Sequence, residues 1–313
     1  MVDSAGHCLW SAGNPQVITF PRSSLKPLQA LAFAQRGGVE RFGFGSEELA
    51  VMAGSHGGEP MHIERVQGIL ARIGAPPEAL MCGAQSPLNA TAAADLQTSG
   101  TKPSALHNNC SGKHAGMLAL CALLGAPFEN YINPEHPAQQ AIRRCVVDLL
   151  ELTEDQLFLG MDGCSAPAFA LPLDRMAYAF ALFGSPSAAP ESHRAAIASI
   201  SSAMQKHPEL VAASSGRIDT ELMRLDRGLV AKSGAEGYFC VGHQSGAGLA
   251  LKLIDGDAAA RARNLAVAMA VRRAGWIDDA DLAGPLSAFG PILPIHNLAG
   301  RHTGEVRPAT ALA

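Results

Sequence analysis

Ser23 and Lys26 stand three residues apart in the stretch F-P-R-S-S-L-K-P. On a helix, positions i and i+3 share a face, so an amine there can reach the hydroxyl. A serine paired in this way is a nucleophile for acyl transfer, provided that burial or neighbouring cations lower the lysine's pKa. Arg22 and a second lysine would supply such cations. The start of a helix adds unpaired N–H groups and a positive dipole end, both suited to a developing oxyanion. The spacing alone is cheap, because Ser99 and Lys102 repeat it in the same chain. Position sets the first pair apart: it opens a helix directly after a strand read at residues 16–20.

Further residues could complete such a centre. Lys232-Ser233-Gly234 precedes a strand beginning at Tyr238, as a K-[ST]-G element does in serine acyl-transferases of the penicillin-binding and β-lactamase type. The S-D-N element of that type is missing, and Ser55, in the glycine-rich turn G-S-H-G-G-E-P, could take its place. Residues 107–116 read H-N-N-C-S-G-K-H-A-G. With a helix starting near Cys110, the side chains of Cys110, Lys113 and His114 fall on one face. Downstream, G-M-D-G-C-S-A-P puts Asp162 and Cys164 in a tight loop. Two thiolates and one nitrogen suit zinc with water in the fourth position. On spacing alone His114 is the expected nitrogen ligand, since lysine rarely gives up its proton. The same cysteines read equally as small buried hydrophobes.

These residues need elements to hold them. Pro27 is tolerated only in a first helical turn, so the helix read over 23–36 must begin near Ser23 or Ser24. A second helix, Glu47 to Ala53, is expected to stop at a Gly54 C-cap. Helical periodicity returns at 61–73, 113–124, 137–151 and 191–206. Residues 238–242 and 248–254 read as strands, and 258–275 as a helix. Strand signals thus sit near both chain ends with helices between them. The expectation is an α+β fold, its sheet built from both ends: roughly 1–55 plus 230–313 as the sheet part, 56–229 as the helical part.

The bulk composition excludes several classes. The chain has 313 residues, 48% hydrophobic and 17% charged, with a net charge of −4 and scattered basic residues. That is no footprint for nucleic acid. No apolar run reaches the roughly 18–20 residues of a membrane span. The N-terminus has no apolar core of a signal peptide. Seven unevenly spaced cysteines then favour reduced thiols or metal ligands over disulfides, and a cytoplasmic home. The sequons at Asn89 and Asn109 read as chance matches.

Ordered blocks span nearly the whole chain: FPRSSLKPLQALA, GSHGGEPMH, HNNCSGKHAGML, GMDGCSAPAFALPLDR, KSGAEG, GLALKLIDGD and HNLAGRHTGEVRP. In this order the chain resembles the thermolabile, rhizobial-type L-asparaginase family (asparaginase II). The resemblance implies a two-domain relative of serine β-lactamases and penicillin-binding proteins, a homodimer that hydrolyses L-asparagine to L-aspartate and ammonia. It makes Ser23 the nucleophile, Lys26 its partner, and Ser55 with Lys232 a second serine–lysine tandem. It puts Zn²⁺ on Cys110, Lys113 and Cys164, which leaves His114 a neighbour of the site. Asp162 and Arg22 match positions near the metal and the nucleophile. Family members begin about one strand earlier, so a missing sheet edge is expected here. The competing readings are a penicillin-interacting hydrolase or a glutaminase, a metallo-amidohydrolase that uses zinc-bound water, and an inactive amino-acid-binding protein.

Overall fold

Four short strands from the two chain ends make the main sheet. β1 (Val2–Asp3) pairs antiparallel with β7 (Ala247–Lys252), β7 with β6 (Tyr238–His243), and β6 with β5 (Leu229–Ser233), giving the order β1-β7-β6-β5. The sheet is therefore built from both termini, but its N-terminal strand is Val2–Asp3; the strand read at 16–20 joins a second sheet instead. The computed structural model describes residues 1–258 and 260–309. It is a mixed fold of helices and several small sheets. A second sheet has the order β2-β4-β3, from β2 (Ile18–Thr19), β3 (Phe158–Met161) and β4 (Pro167–Pro172). A hairpin of β8 (Leu293–His296) and β9 (His302–Val306) lies near the C-terminus.

One face of the main sheet is covered by the helix Leu173–Gly184, which rests on bare backbone. A Cβ on Gly242 would lie 1.9 Å from the Phe180 carbonyl oxygen, and one on Gly248 would lie 2.0 Å from that of Ala177. These two glycines let the helix approach closely enough to bury Phe180 and Phe183 completely. The helical part centres on Ser111–Leu124, buried from Ser111 through Cys121 and wrapped by Lys26–Ala34, Ser46–Met52 and Pro60–Ile73. A helix apolar on every side has to be a central one.

Four helices agree with the periodicity to within two residues: Pro60–Ile73, Ser111–Leu124, Pro137–Leu150 and Glu191–Lys206. Three expectations need correcting. Gly54 is not a left-handed cap: Ala53 ends the helix Ser46–Met52. A Cβ on Gly54 would lie 2.7 Å from the Leu210 carbonyl oxygen, so close packing is what requires glycine there. The helix read over 258–275 runs only from Arg263 to Arg273. The Asp257 carboxylate accepts the backbone N–H groups of Arg261, Ala262 and Arg263, which closes a turn before the helix starts; residue 259 lies outside the described residues. Finally, β3 and β4 fall within the stretch read as helical. Every residue of β4 is buried, so no alternation betrays it. Among the described residues, no helix is long and apolar enough to cross a membrane.

Candidate active site

Pro27 sits in the first turn of the helix Lys26–Ala34, and the chain enters it through a 3-10 turn, Arg22–Leu25. Arg22 opens that turn at φ +52°, a left-handed conformation unusual for arginine. Ion pairs hold it there. Its Nε and Nη2 both donate to Asp162 Oδ1, at 3.0 and 2.7 Å, and its Nη1 donates to Glu236 Oε1. Ser23 follows, half-buried, and among the described residues its Oγ makes no hydrogen bond. Ser24 is fully buried and donates to the Lys232 carbonyl at 2.8 Å. Here too a glycine permits contact, since a Cβ on Gly234 would lie 2.3 Å from the Pro21 carbonyl oxygen. The end of β5 is thereby pressed onto the turn that carries Ser23.

Lys26 is 1% exposed, and its amine points to the second serine rather than the first. Nζ donates to Ser55 Oγ at 2.7 Å and to the Asn109 carbonyl at 3.3 Å. Burial lowers its pKa, and Lys113 lowers it further, against the pull of Cys110 and Cys164. Lys232 is wholly buried and donates to its neighbour's carbonyl, Ser233 O, at 2.9 Å. Burial brings its pKa down to about 7, with Asp219 opposing the shift and Lys26 and Arg217 adding to it. Two buried lysines of lowered pKa thus flank Ser55 and the Ser23 turn, which is the condition for lysine base chemistry. The strand after Lys232 has few free amides to offer an oxyanion: Ser233 N donates to Asp219 and Gly234 N to the Tyr238 carbonyl.

The thiols gather on the other side of Lys26. Cys110 caps the helix Ser111–Leu124, and Lys113, one turn in, donates to Cys164 Sγ at 2.8 Å. Asp162 Oδ2 lies 3.5 Å from Lys113 Nζ and 3.8 Å from Cys164 Sγ. A hydrogen bond from Cys164 pushes the Cys110 thiol well below its usual pKa, against burial, and Lys26 and Lys113 assist. Burial opposes charge on both Lys113 and Asp162. Even so, Cys110, Cys164 and Asp162 keep Lys113 protonated, and Lys113 with Arg22 holds the Asp162 carboxyl far below the usual carboxylate range. Cys110, Lys113 and Cys164 lie together here, with Lys113 bonded to Cys164 and Cys110 at the start of the helix that carries Lys113. Among the described residues no cluster of three or more His, Cys, Asp or Glu side chains is arranged to hold one. His114 does not join them: Nδ1 meets Tyr131 Oη at 2.5 Å, and burial first, then Lys113, keeps the ring neutral.

Ser23, Lys26, Ser55, Lys232, Arg22, Asp162, Cys110, Lys113 and Cys164 therefore form one contiguous cluster, with His114 behind it. The decoy pair lies far from any such environment. Ser99 and Lys102 are exposed, and Ser99 Oγ merely donates to the Leu96 carbonyl at 2.8 Å. Sequence reasoning misses Ser24, Asp219, Arg217 and the carbonyl of Asn109. Glu236, in the block KSGAEG, joins the cluster only through its bond from Arg22. Nothing in G-R-I-D-T marks Asp219, which pairs with Arg217 inside that segment but meets Lys232 and Ser233 from 13 and 14 residues further along the chain. A cavity of about 210 Å³, lined by Trp10, Leu173, Asp174 and Leu251 among others, lies between the N-terminal segment and β7 and touches none of the cluster.

The family model of L-asparaginase II matches residues 1–308. No curated protein matches the chain. A match over nearly the full length, on a chain whose serines, lysines and cysteines converge as described, carries the conclusion that this protein belongs to the L-asparaginase II family and is an L-asparaginase.

Proposed function

We propose that the protein hydrolyses the side-chain amide of L-asparagine through an acyl-serine intermediate. Ser23 Oγ attacks the amide carbon, and its proton passes to Lys26 in the neutral form that burial favours. The Ser23 N–H is the amide of this turn aimed at the oxyanion, since Ser24 N donates to the Pro21 carbonyl and Lys26 N to that of Ser23. The intermediate collapses as the amide nitrogen takes a proton and leaves as ammonia. Water then cleaves the β-aspartyl ester, regenerating Ser23 and releasing aspartate. Ser55 and Lys232 relay protons to and from Lys26. The observation that supports this most is the buried Lys26 amine, 2.7 Å from Ser55 Oγ, on the helix that directly continues the turn carrying the unbonded Ser23 hydroxyl. Ammonia release from asparagine, set beside release from glutamine and nitrocefin turnover, tests it; a preference for either alternative overturns it.

The donor types at Cys110, Lys113 and Cys164 fit zinc: two sulfurs, one of them readily ionised, and an amine that can bind once its proton leaves. We place zinc there as a stabiliser of site geometry and a grip for the substrate's α-amino or α-carboxylate group. Cys110→Ser is expected to remove nearly all bound zinc, measured by metal analysis, while kcat stays within about tenfold because no bond-breaking step runs through the metal. Chelation that abolishes turnover, together with an active Ser23→Ala, would instead mean a metallo-amidohydrolase.

The same reading takes the fold as a relative of the serine β-lactamases, divided at about residues 55 and 230, and the enzyme as cytoplasmic. It also takes the working form as a homodimer. Phe158, Leu159 and Met161 are exposed along the free edge of β3, where a second copy could cover them. Sedimentation at micromolar concentration should show a dimer that Leu159→Lys weakens; an unaltered sedimentation coefficient would remove β3 from that interface.

A further inference from the structure

Asp219, in the short helix Ile218–Arg224, is completely buried beside the lysine at the end of β5. Its Oδ1 accepts the backbone N–H of Ser233 at 2.5 Å and lies 3.8 Å from Lys232 Nζ. Its Oδ2 lies 3.8 Å from Arg217 Nη2 and has no hydrogen-bond partner among the described residues. Leaving a carboxylate oxygen buried and unbonded is costly, so the group must be held for its charge as well as its bond. Its strong hydrogen bond goes to the strand and not to the lysine. The amine therefore feels the negative field without being locked into a contact ion pair.

We propose that Asp219 is a positioning residue for the amide hydrolysis, fixing the strand end Lys232–Ser233 and setting how readily Lys232 gives up its proton. The inference rests on Lys232 belonging to the catalytic cluster. The groups facing Lys232 come from every side. Asp219 and Arg217 approach from the segment before β5, Lys26 from the helix Lys26–Ala34, and Cys110 from the start of Ser111–Leu124. Cys240 stands opposite Lys232 on β6, and Arg263, from the helix Arg263–Arg273, donates to the Gly234 carbonyl at 3.0 Å. Asp219 is the carboxylate in this group, and it stays ionised, at about 2, through the opposing effects of burial and of Arg217 and Lys232. Without it, burial and the neighbouring cations would act on Lys232 unopposed.

The test pairs two substitutions of opposite sign. In Asp219→Asn the lysine should titrate about one unit or more lower, and in Arg217→Gln higher. Two readouts report this: NMR titration of Lys232 in lysine-labelled protein, and the inflection in the pH profile of kcat/KM. Asp219→Glu, which keeps the charge, should return the inflection toward wild type. Thermal melts identify any variant that fails to fold, and Arg217→Gln then carries the test alone. Shifts of the same sign, or none in folded variants, overturn the proposal. A wild type that releases no ammonia from asparagine would defeat the asparaginase reading, while the lysine titration would still judge Asp219.

Discussion

Ser23→Ala is expected to lower kcat for ammonia release from asparagine by roughly 10³-fold or more, with KM little changed. The hydroxyl makes no hydrogen bond among the described residues and is half-buried, so its removal should leave the melting temperature nearly where it was. That separates loss of chemistry from loss of fold. Ser55→Ala is the informative companion. Lys26 Nζ donates to Ser55 Oγ at 2.7 Å, so loss of that hydroxyl disturbs the base and the relay and should cost about 10²-fold. The double variant should be no worse than Ser23→Ala alone, because groups that act as one unit are not additive. The contact between Lys26 and Ser55 also defines the rival assignment, in which Ser55 is acylated. If Ser23→Ala keeps more than a tenth of kcat, or a trapped acyl group maps to Ser55, the roles of the two serines exchange.

Gly242→Ala should have the largest effect on stability. The added methyl would sit 1.9 Å from the Phe180 carbonyl oxygen, 2.8 Å from its carbon and 2.9 Å from Gly184 N, all backbone atoms that cannot swing aside. Helix Leu173–Gly184 must lift from the sheet, at a cost of about 3 kcal/mol or more. Differential scanning calorimetry should show a melting temperature lower by roughly 5 °C or more. Activity should fall below the melting range as well. β6 holds Lys232 in register through Cys240, and its Tyr238 carbonyl accepts Gly234 N, so a displaced β6 moves the lysine. Gly304→Ala on β9 is the control: nothing lies within 4 Å of its added Cβ, so the change should be within about 0.5 kcal/mol. Equal melting temperatures for the two variants would mean that the close helix–sheet approach does not support the fold.

Much of the architecture is local, and local information is legible in one dimension. The helices over 60–73, 111–124, 137–150 and 191–206 follow from apolar periodicity, and Pro27 alone limits where the first helix can begin. The candidate residues are legible for a different reason: Ser23, Lys26, Ser55, Cys110, Lys113, Asp162, Cys164 and Lys232 lie in ordered blocks that mark the family. Neither source can tell which amine meets which hydroxyl. Spacing puts Lys26 within reach of Ser23, whereas the fold brings Ser55, 29 residues away, to its Nζ. Likewise Ser24 finds the Lys232 carbonyl across 208 residues, and Asp219 becomes part of the cluster only because its helix packs against β5. The glycines carry the same lesson, since Gly54, Gly234, Gly242 and Gly248 are required by backbones that arrive from elsewhere in the chain. Sequence by itself did not determine the helix Leu173–Gly184 or the edge strand Val2–Asp3. It determined the strongly periodic helices, the paired strands near the C-terminal end and the identity of the reactive side chains at Ser23 and Lys26. Tertiary structure alone decided their pairing and their proton affinities, because both depend on burial and on charges brought together by packing rather than by order along the chain.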